Sequence, residues 1–228
     1  MAIRNLNGVG IHVVENPARL AAGWLIHTAS EPGHIALSGG SASRAYELAA
    51  ELLPKWRRDV HLWFGDDRAV APGDERSNYR LVQQTLLNRL VALPTVHRIH
   101  GELGAPDAAE LYDRELDGVT LDLAVNGIGA DGHTASLFPA AEALDERERR
   151  VVAAEPGLEP FVERVTLTPP VFGATRLLVY LVTGDSKASA VKKAFAEEPS
   201  AETPASLIRG VETIAILDEA AASQLPQG

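Results

Sequence analysis

The stretch "LDLAVNGIGADGHTASLFP", Leu121 to Pro139, decides how the chain is read. It opens on a short apolar run and passes into a literal G-x-G-x-x-G at Gly127, Gly129 and Gly132, with His133 directly behind. A dinucleotide fingerprint would continue into a full helix and then a second strand ending in an acid. Here Pro139 arrives early, so "HTASLFPA" has room for about two helical turns at most. Charged "EALDERERR" follows in place of a strand. The glycines therefore make a turn that presents His133, and nicotinamide chemistry is not expected.

Working outward, the same grammar recurs. "GHIALSGG", "VHLWFGD", "RLLVYLVTG" and "TIAILD" are apolar runs that end in Gly or Asp, the pattern of buried strands. Between them lie amphipathic segments. "NPARLAAGWLIHTAS" begins with Asn16 as N-cap and Pro17 at the first helical position. "SASRAYELAAELL", "SNYRLVQQTLLNRL", "DAAELYDRELD" and "DSKASAVKKAFAEE" open on Ser or Asp and carry apolar residues at helical spacing. Strand and helix in alternation, with strands apolar throughout, predict an α/β protein: three layers, a mainly parallel sheet flanked by helices. Residues 140–163 read as an irregular excursion. The strands resume after it, so residues 1–228 are expected to form a single domain.

Bulk properties exclude several classes. The chain has 228 residues, 46% hydrophobic and 23% charged, as in an ordinary globular protein with a sizeable core. No apolar run is long enough to cross a membrane, and "MAIRNLNGVGIHVVENP" lacks a signal peptide's apolar region. A net charge of −10, with Lys and Arg scattered, argues against nucleic acid as partner. The absence of cysteine removes thiolate metal sites and Cys nucleophiles, and suits a cytoplasmic location.

In a parallel sheet, ligands bind beyond the carboxyl ends of the strands, so the loops after the apolar runs matter most. "LSGGSASR" sets Ser38, Gly39, Gly40 and Ser41 between a strand and a helix start, where free N–H groups and the helix dipole favour a phosphate. It is equally a plain strand-to-helix turn, and it is not a Walker A loop. "FGDDRAVAPGDERSN" places Asp66, Asp67 and Arg68 at a strand end: carboxylates for acid/base work or sugar hydroxyls, a guanidinium for an oxyanion. The nearby "GDER" reads as a solvated turn before the Ser77 N-cap. His133 follows Asp131 by two residues, and a carboxylate beside an imidazole fixes its tautomer. No G-x-S-x-G elbow and no H-E-x-x-H occurs, so His133 is a candidate to activate a water or a substrate proton rather than a protein nucleophile, or else a histidine that only hydrogen-bonds its loop. Arg164 in "ERVTLTPP" and Lys187 in "VTGDSKAS" are single cations. Lys187 falls in a first helical turn, where a cation is disfavoured unless an anion is present.

These loops, in this order, resemble the 6-phosphogluconolactonase family: S-G-G-S after a strand, D-E-R, D-G-H-T-A-S-L-F-P, R-x-T-x-T and G-x-x-K. "DGHTASLFP" is unbroken from Asp131 to Pro139, "RVTLT" spans Arg164 to Thr168, and "GDSK" spans Gly184 to Lys187. The likeness runs from about Leu37 to Asp218. Asp67 departs from it by standing where Glu is usual, and Asn126 and Ala130 are also atypical.

The resemblance implies a Rossmann-like fold and a hydrolase acting on 6-phospho-D-glucono-1,5-lactone in the pentose phosphate pathway. It implies no cofactor or metal. His133 and Asp131 would be catalytic. Ser38, Gly39, Gly40, Ser41, Asp66, Asp67, Arg68, Gly132, Arg164 and Lys187 would bind substrate. The oxyanion would rest on loop N–H groups near Gly129 to Gly132, or on Arg68. Glucosamine-6-phosphate deaminases are similar, but they carry a Glu where this chain has Phe138 and a Tyr where it has Arg68. Sugar-phosphate-sensing regulators also resemble the fold; they carry a helix-turn-helix domain in front, for which this chain has no room.

Overall fold

The computed structural model describes residues 2–157, 159 and 161–226. Its centre is a sheet of eight strands: β1 (Ala2–Leu6), β2 (Val9–Val13), β3 (Gly33–Leu37), β4 (Val60–Phe64), β6 (Thr95–Val96), β7 (Leu123–Asn126), β10 (Leu177–Val182) and β11 (Glu212–Leu217). They lie in the order β1-β2-β11-β10-β7-β3-β4-β6. Every pairing is parallel except that of β1 with β2. The central strands are buried almost throughout, which is why their sequences are apolar without alternation.

The seven α-helices among the described residues are α1 (Pro17–Ala29), α2 (Ser43–Leu52), α3 (Asn78–Thr85), α4 (Ala105–Glu115), α5 (Pro169–Ala174), α6 (Ala188–Ala196) and α7 (Pro204–Leu207). Asn16 caps α1 through a 3.0 Å bond from the Arg19 N–H, with Pro17 leading the helix. Helix α4 starts at Ala105, two residues before the Asp that the sequence suggests. Gly104 at φ +86° turns the chain there and Pro106 fits the first turn. Helix α1 packs on α2 and over β3, β10 and β11; α6 packs on α7. One apolar cluster runs from Val9 to Leu225.

Two features were not expected. The chain starts with a hairpin, β1–β2, turned by Asn7 and Gly8 at φ +47° and +80°. Asn-Gly is the favoured pair for such a two-residue turn. The expectation of irregular structure over 140–163 is corrected in part. Val151–Ala154 is a strand, β8, in a second antiparallel sheet of order β5-β9-β8, with β5 (Asp66–Arg68) and β9 (Arg164–Leu167). Helix α4 covers this small sheet, and Val151 and Val152 are buried there.

The order of strands sets the position of everything else. From β3 the chain moves outward through β4 to β6; from β7 it moves the other way, through β10 to β11. The neighbours β3 and β7 thus send their following loops apart, and a crevice opens between them at their carboxyl ends. At the opposite end, His34, His61 and His97 form a row. The rings of His34 and His61 stack at 4.8 Å, and His61 Nδ1 lies 2.9 Å from His97 Nε2. Trp63 lies flat on His97 and donates its indole N–H to His34 Nδ1. Burial first, then the charge of His61, lowers the pKa of both His34 and His97.

Candidate active site

The loops after β3 and β7 form opposite walls of one cleft. Strands β5 and β9 supply further parts, and the starts of α3 and α6 others. Its lining includes Ser38, Gly39, Gly40, Ser41, Asp66, Arg68, Asn78, Gly129, His133, Arg164 and Lys187. Nine of the twelve residues expected from the sequence line this cleft, and Asp131 is bonded to one of them, His133. Asp67 and Gly132 do not line it.

The β3 wall is shaped for close approach. Gly40 sits at φ +71°, where a side chain is strained, and opens a 3₁₀ turn that leads into α2. A β-carbon on Gly39 would collide with the Asn78 amide. Ser38 is pinned by Tyr46, whose hydroxyl accepts from the Ser38 N–H at 3.0 Å and donates to the Ser38 carbonyl at 2.7 Å. The buried Ser38 Oγ and Arg68 Nε have no hydrogen-bond partner among the described residues. Such groups are uncommon in folded proteins and suit a polar ligand.

The β7 wall holds His133. Its Nδ1 lies 2.6 Å from Asp131 Oδ1, and its backbone N–H donates to the same oxygen at 3.2 Å. With Nδ1–H donating to the carboxylate, Nε2 keeps its lone pair. No room exists for a side chain at Gly129, where a β-carbon would strike both His133 and Asp131. Gly132 has a structural place: at φ +90° it turns the loop, and its carbonyl accepts from the Ala205 N–H of α7. No helix follows. Thr134 and Leu137 bridge across a tight turn with Ala135 at φ +50°. Phe138 packs its ring 4.7 Å from that of His133, and the Arg164 guanidinium lies over the Phe138 ring, 5.3 Å from its centroid.

The small sheet brings the charges. β5 pairs with β9 so that Arg68 lies opposite Arg164. Arg164 is only 4% exposed, and burial followed by the Arg68 charge lowers its pKa. Two guanidiniums this close are favoured by an anion between them. Asp66 lines the cleft and accepts from Ser136 Oγ at 2.6 Å and from Asn78 Nδ2 at 3.1 Å. Its neighbour Asp67 points away, 2% exposed. It accepts from the N–H groups of Arg68, Asn78 and Tyr79 and from the Ser77 hydroxyl, and so caps α3. Burial pushes its pKa up to about 6 against those donors. Strand alternation is the reason for the split: successive residues of β5 face opposite sides.

Sequence reasoning passed over Asn78 and Ser136. Reading Gly73–Arg76 as a solvated turn is sound, since Asp74 and Arg76 form an exposed pair. The two residues after it, Ser77 and Asn78, are buried. An Asn directly behind an N-cap Ser, next to a D-D-R strand end, was the available signal. Among the described residues no group of three or more His, Asp or Glu is arranged to hold a metal, and no helix is long and apolar enough to cross a membrane.

A mainly parallel α/β sheet whose switch-point cleft is lined by a glycine turn, cationic side chains and a carboxylate-held histidine defines a Rossmann-like protein with a site suited to an anion. The comparisons agree. A family model described as glucosamine-6-phosphate isomerases/6-phosphogluconolactonase matches residues 19–216, and the chain belongs to that family. It is similar to a 6-phosphogluconolactonase of Aggregatibacter actinomycetemcomitans, 35% identical over 80% of this chain and 81% of the other. The human 6-phosphogluconolactonase is 36% identical over 84% of this chain and 80% of its own. Among solved structures, 6-phosphogluconolactonase from Trypanosoma cruzi superposes with a TM-score of 0.83 at 27% identity, covering 100% of both chains.

Proposed function

We propose that the chain hydrolyses the ring ester of 6-phospho-D-glucono-1,5-lactone to 6-phospho-D-gluconate. The observation that carries this reading is that His133, held by Asp131, opens onto the same cleft as the Ser38–Ser41 loop and the cations Arg68, Arg164 and Lys187. A water beside Nε2 gives that nitrogen a proton as its oxygen bonds to the lactone carbonyl carbon. The carbonyl oxygen becomes an oxyanion. The N–H groups of Gly129 and Gly132 are spent inside the loop, on the carbonyls of His133 and Gly129. We assign the oxyanion to Arg68, which lines the cleft with its buried Nε unpartnered among the described residues. Collapse of the intermediate breaks the bond to the ring oxygen, which takes the proton back from Nε2. Asp131 holds the ring and its tautomer throughout.

The phosphate lies away from the reacting carbon, on Gly39, Gly40, Ser41, Arg164 and Lys187. Binding there orients the ester. Asp66, which lines the cleft, takes the substrate hydroxyls in this reading. A cytoplasmic site of action is part of the same reading and suits a chain without cysteine.

Phe138 favours lactone hydrolysis over amino-sugar deamination. Deamination needs a group that moves a proton for ring opening, and an aromatic ring against His133 moves none. The test is a coupled assay with freshly generated lactone, beside an ammonia-release assay on glucosamine 6-phosphate. Hydrolysis well above the spontaneous rate with no ammonia is expected. Ammonia release at a comparable rate overturns the assignment.

A further inference from the structure

We infer that Asn78 is the residue that positions Arg68 for the reaction and ties it to the anion loop after β3. The inference rests on the proposed lactonase site. Asn78 is the first residue of α3 and lines the cleft while only 3% exposed. Each polar group of its amide has a defined use. Oδ1 accepts from Arg68 Nη1 at 3.0 Å, and Nδ2 donates to the Asp66 carbonyl at 2.9 Å and to Asp66 Oδ1 at 3.1 Å. These partners fix which way the amide points, because only the oxygen can receive a guanidinium and only the nitrogen can serve a carboxylate.

The third side is the loop. Asn78 Oδ1 stands so near Gly39 that a β-carbon there would overlap it. One amide thus touches the anion loop, the arginine and the cleft carboxylate. Arg68 Nη1 has one other partner, the Arg76 carbonyl at 2.7 Å. Losing Asn78 leaves that arm on a single, exposed anchor. Helix α3 does not depend on the amide. Ser77 Oγ accepts from the Arg80 N–H, and Asp67 accepts from the backbone N–H groups of Asn78 and Tyr79. A change at the Asn78 side chain therefore separates positioning from folding.

The test is a double-mutant cycle with Arg68→Ala and Asn78→Ala, measuring kcat and KM on the lactone. In the wild-type background Asn78→Ala is expected to lower kcat/KM by roughly 10–100-fold, chiefly in kcat, as for a misplaced transition-state group. In the Arg68→Ala background it should cost under about threefold, because a residue acting through Arg68 has nothing left to act on. Additive losses, or an effect confined to KM, overturn the inference. Should Asn78→Ala fail to fold, Asn78→Ser in the same cycle carries the same expectation. A readout without substrate distinguishes the two readings. The Arg68 side-chain N–H signals should exchange with solvent about tenfold or more faster in Asn78→Ala than in wild type, the signature of a lost anchor. Unchanged exchange sinks the role of Asn78 even if the protein is an active lactonase. Faster exchange in a protein that leaves the lactone untouched retains the Arg68 anchor and sinks the proposed function.

Discussion

At the scale of single residues, the proposed reaction divides labour between a proton carrier and an anion seat. His133→Ala removes the only imidazole lining the cleft among the described residues, so kcat should fall about 10²–10⁴-fold with KM much less changed. Near-normal kcat after subtraction of spontaneous hydrolysis would exclude a general-base role. Gly39→Ala offers a different expectation. The new methyl overlaps the Asn78 amide, so phosphate seating and the hold on Arg68 should fail together, raising KM and lowering kcat. Lys187→Ala has no such reach into the chemistry. It should weaken binding of inorganic phosphate and substrate by about 1.5–3 kcal/mol, the worth of a charge-assisted contact, and leave kcat at saturation nearly intact. Calorimetric titration with phosphate checks the first part. An equal loss on unphosphorylated gluconolactone would show that Lys187 does not bind the phosphate.

Elements explain why some of this could be read in advance. The buried strands announced themselves through unbroken apolar runs, and the loop residues through glycines placed directly after them. The fate of the Asp66–Asp67 pair was out of reach. The pair forms part of a strand only because β9, almost a hundred residues later, lies beside it, and that pairing turns one carboxylate into the cleft and the other under α3. Asn78 was hidden for a related reason: an Asn behind a capping Ser is ordinary helix-start chemistry until the helix is seen to begin inside the site. The hairpin of β1 and β2 was legible from Asn7–Gly8 and simply lay away from the loops that drew notice.

The histidine row gives an element-scale prediction. His34 and His97 hold pKa values below the ordinary 6.5, through burial and the charge of His61; Asp122 partly offsets this at His34, and Glu115 stands 3.8 Å from His97. Below about pH 6.5 the unfolded chain takes up protons that the folded row resists, so the row's contribution is full above that pH and falls as the solution is acidified, while Asp67, pushed up to about 6, works in the opposite direction. Melting temperatures measured from pH 8 to 5 should decline through this window. The decline should be shallower in His97→Gln. An unchanged slope in that variant would mean that the row carries no linked protons.

For the whole molecule, the cleft joins the two directions in which the sheet grows. Its walls hang on β3 and β7, which belong to one core cluster. A ligand that spans the crevice should stabilise the entire fold. With 6-phosphogluconate at about 100 times its dissociation constant, the gain is about 2.7 kcal/mol if the unfolded chain does not bind. For a chain of this length that corresponds to a rise in Tm of roughly 5–11 °C. Thermal unfolding with and without the product measures it. No rise at saturating product, with binding confirmed by calorimetry, would mean that the unfolded chain binds as well.

The divergence of β3 and β7 has a consequence for descent. The seat for the anion hangs on one strand and the histidine loop on its neighbour, and each strand is anchored by partners on its own far side. Substitutions in the histidine loop can therefore accumulate while the backbone of the Ser38–Ser41 turn keeps its place. A lineage can keep its grip on phosphorylated sugars while exchanging one reaction for another, and the family to which this chain belongs does unite isomerases with lactonases. Modularity of this kind is built into the order of the strands, before any particular side chain is chosen.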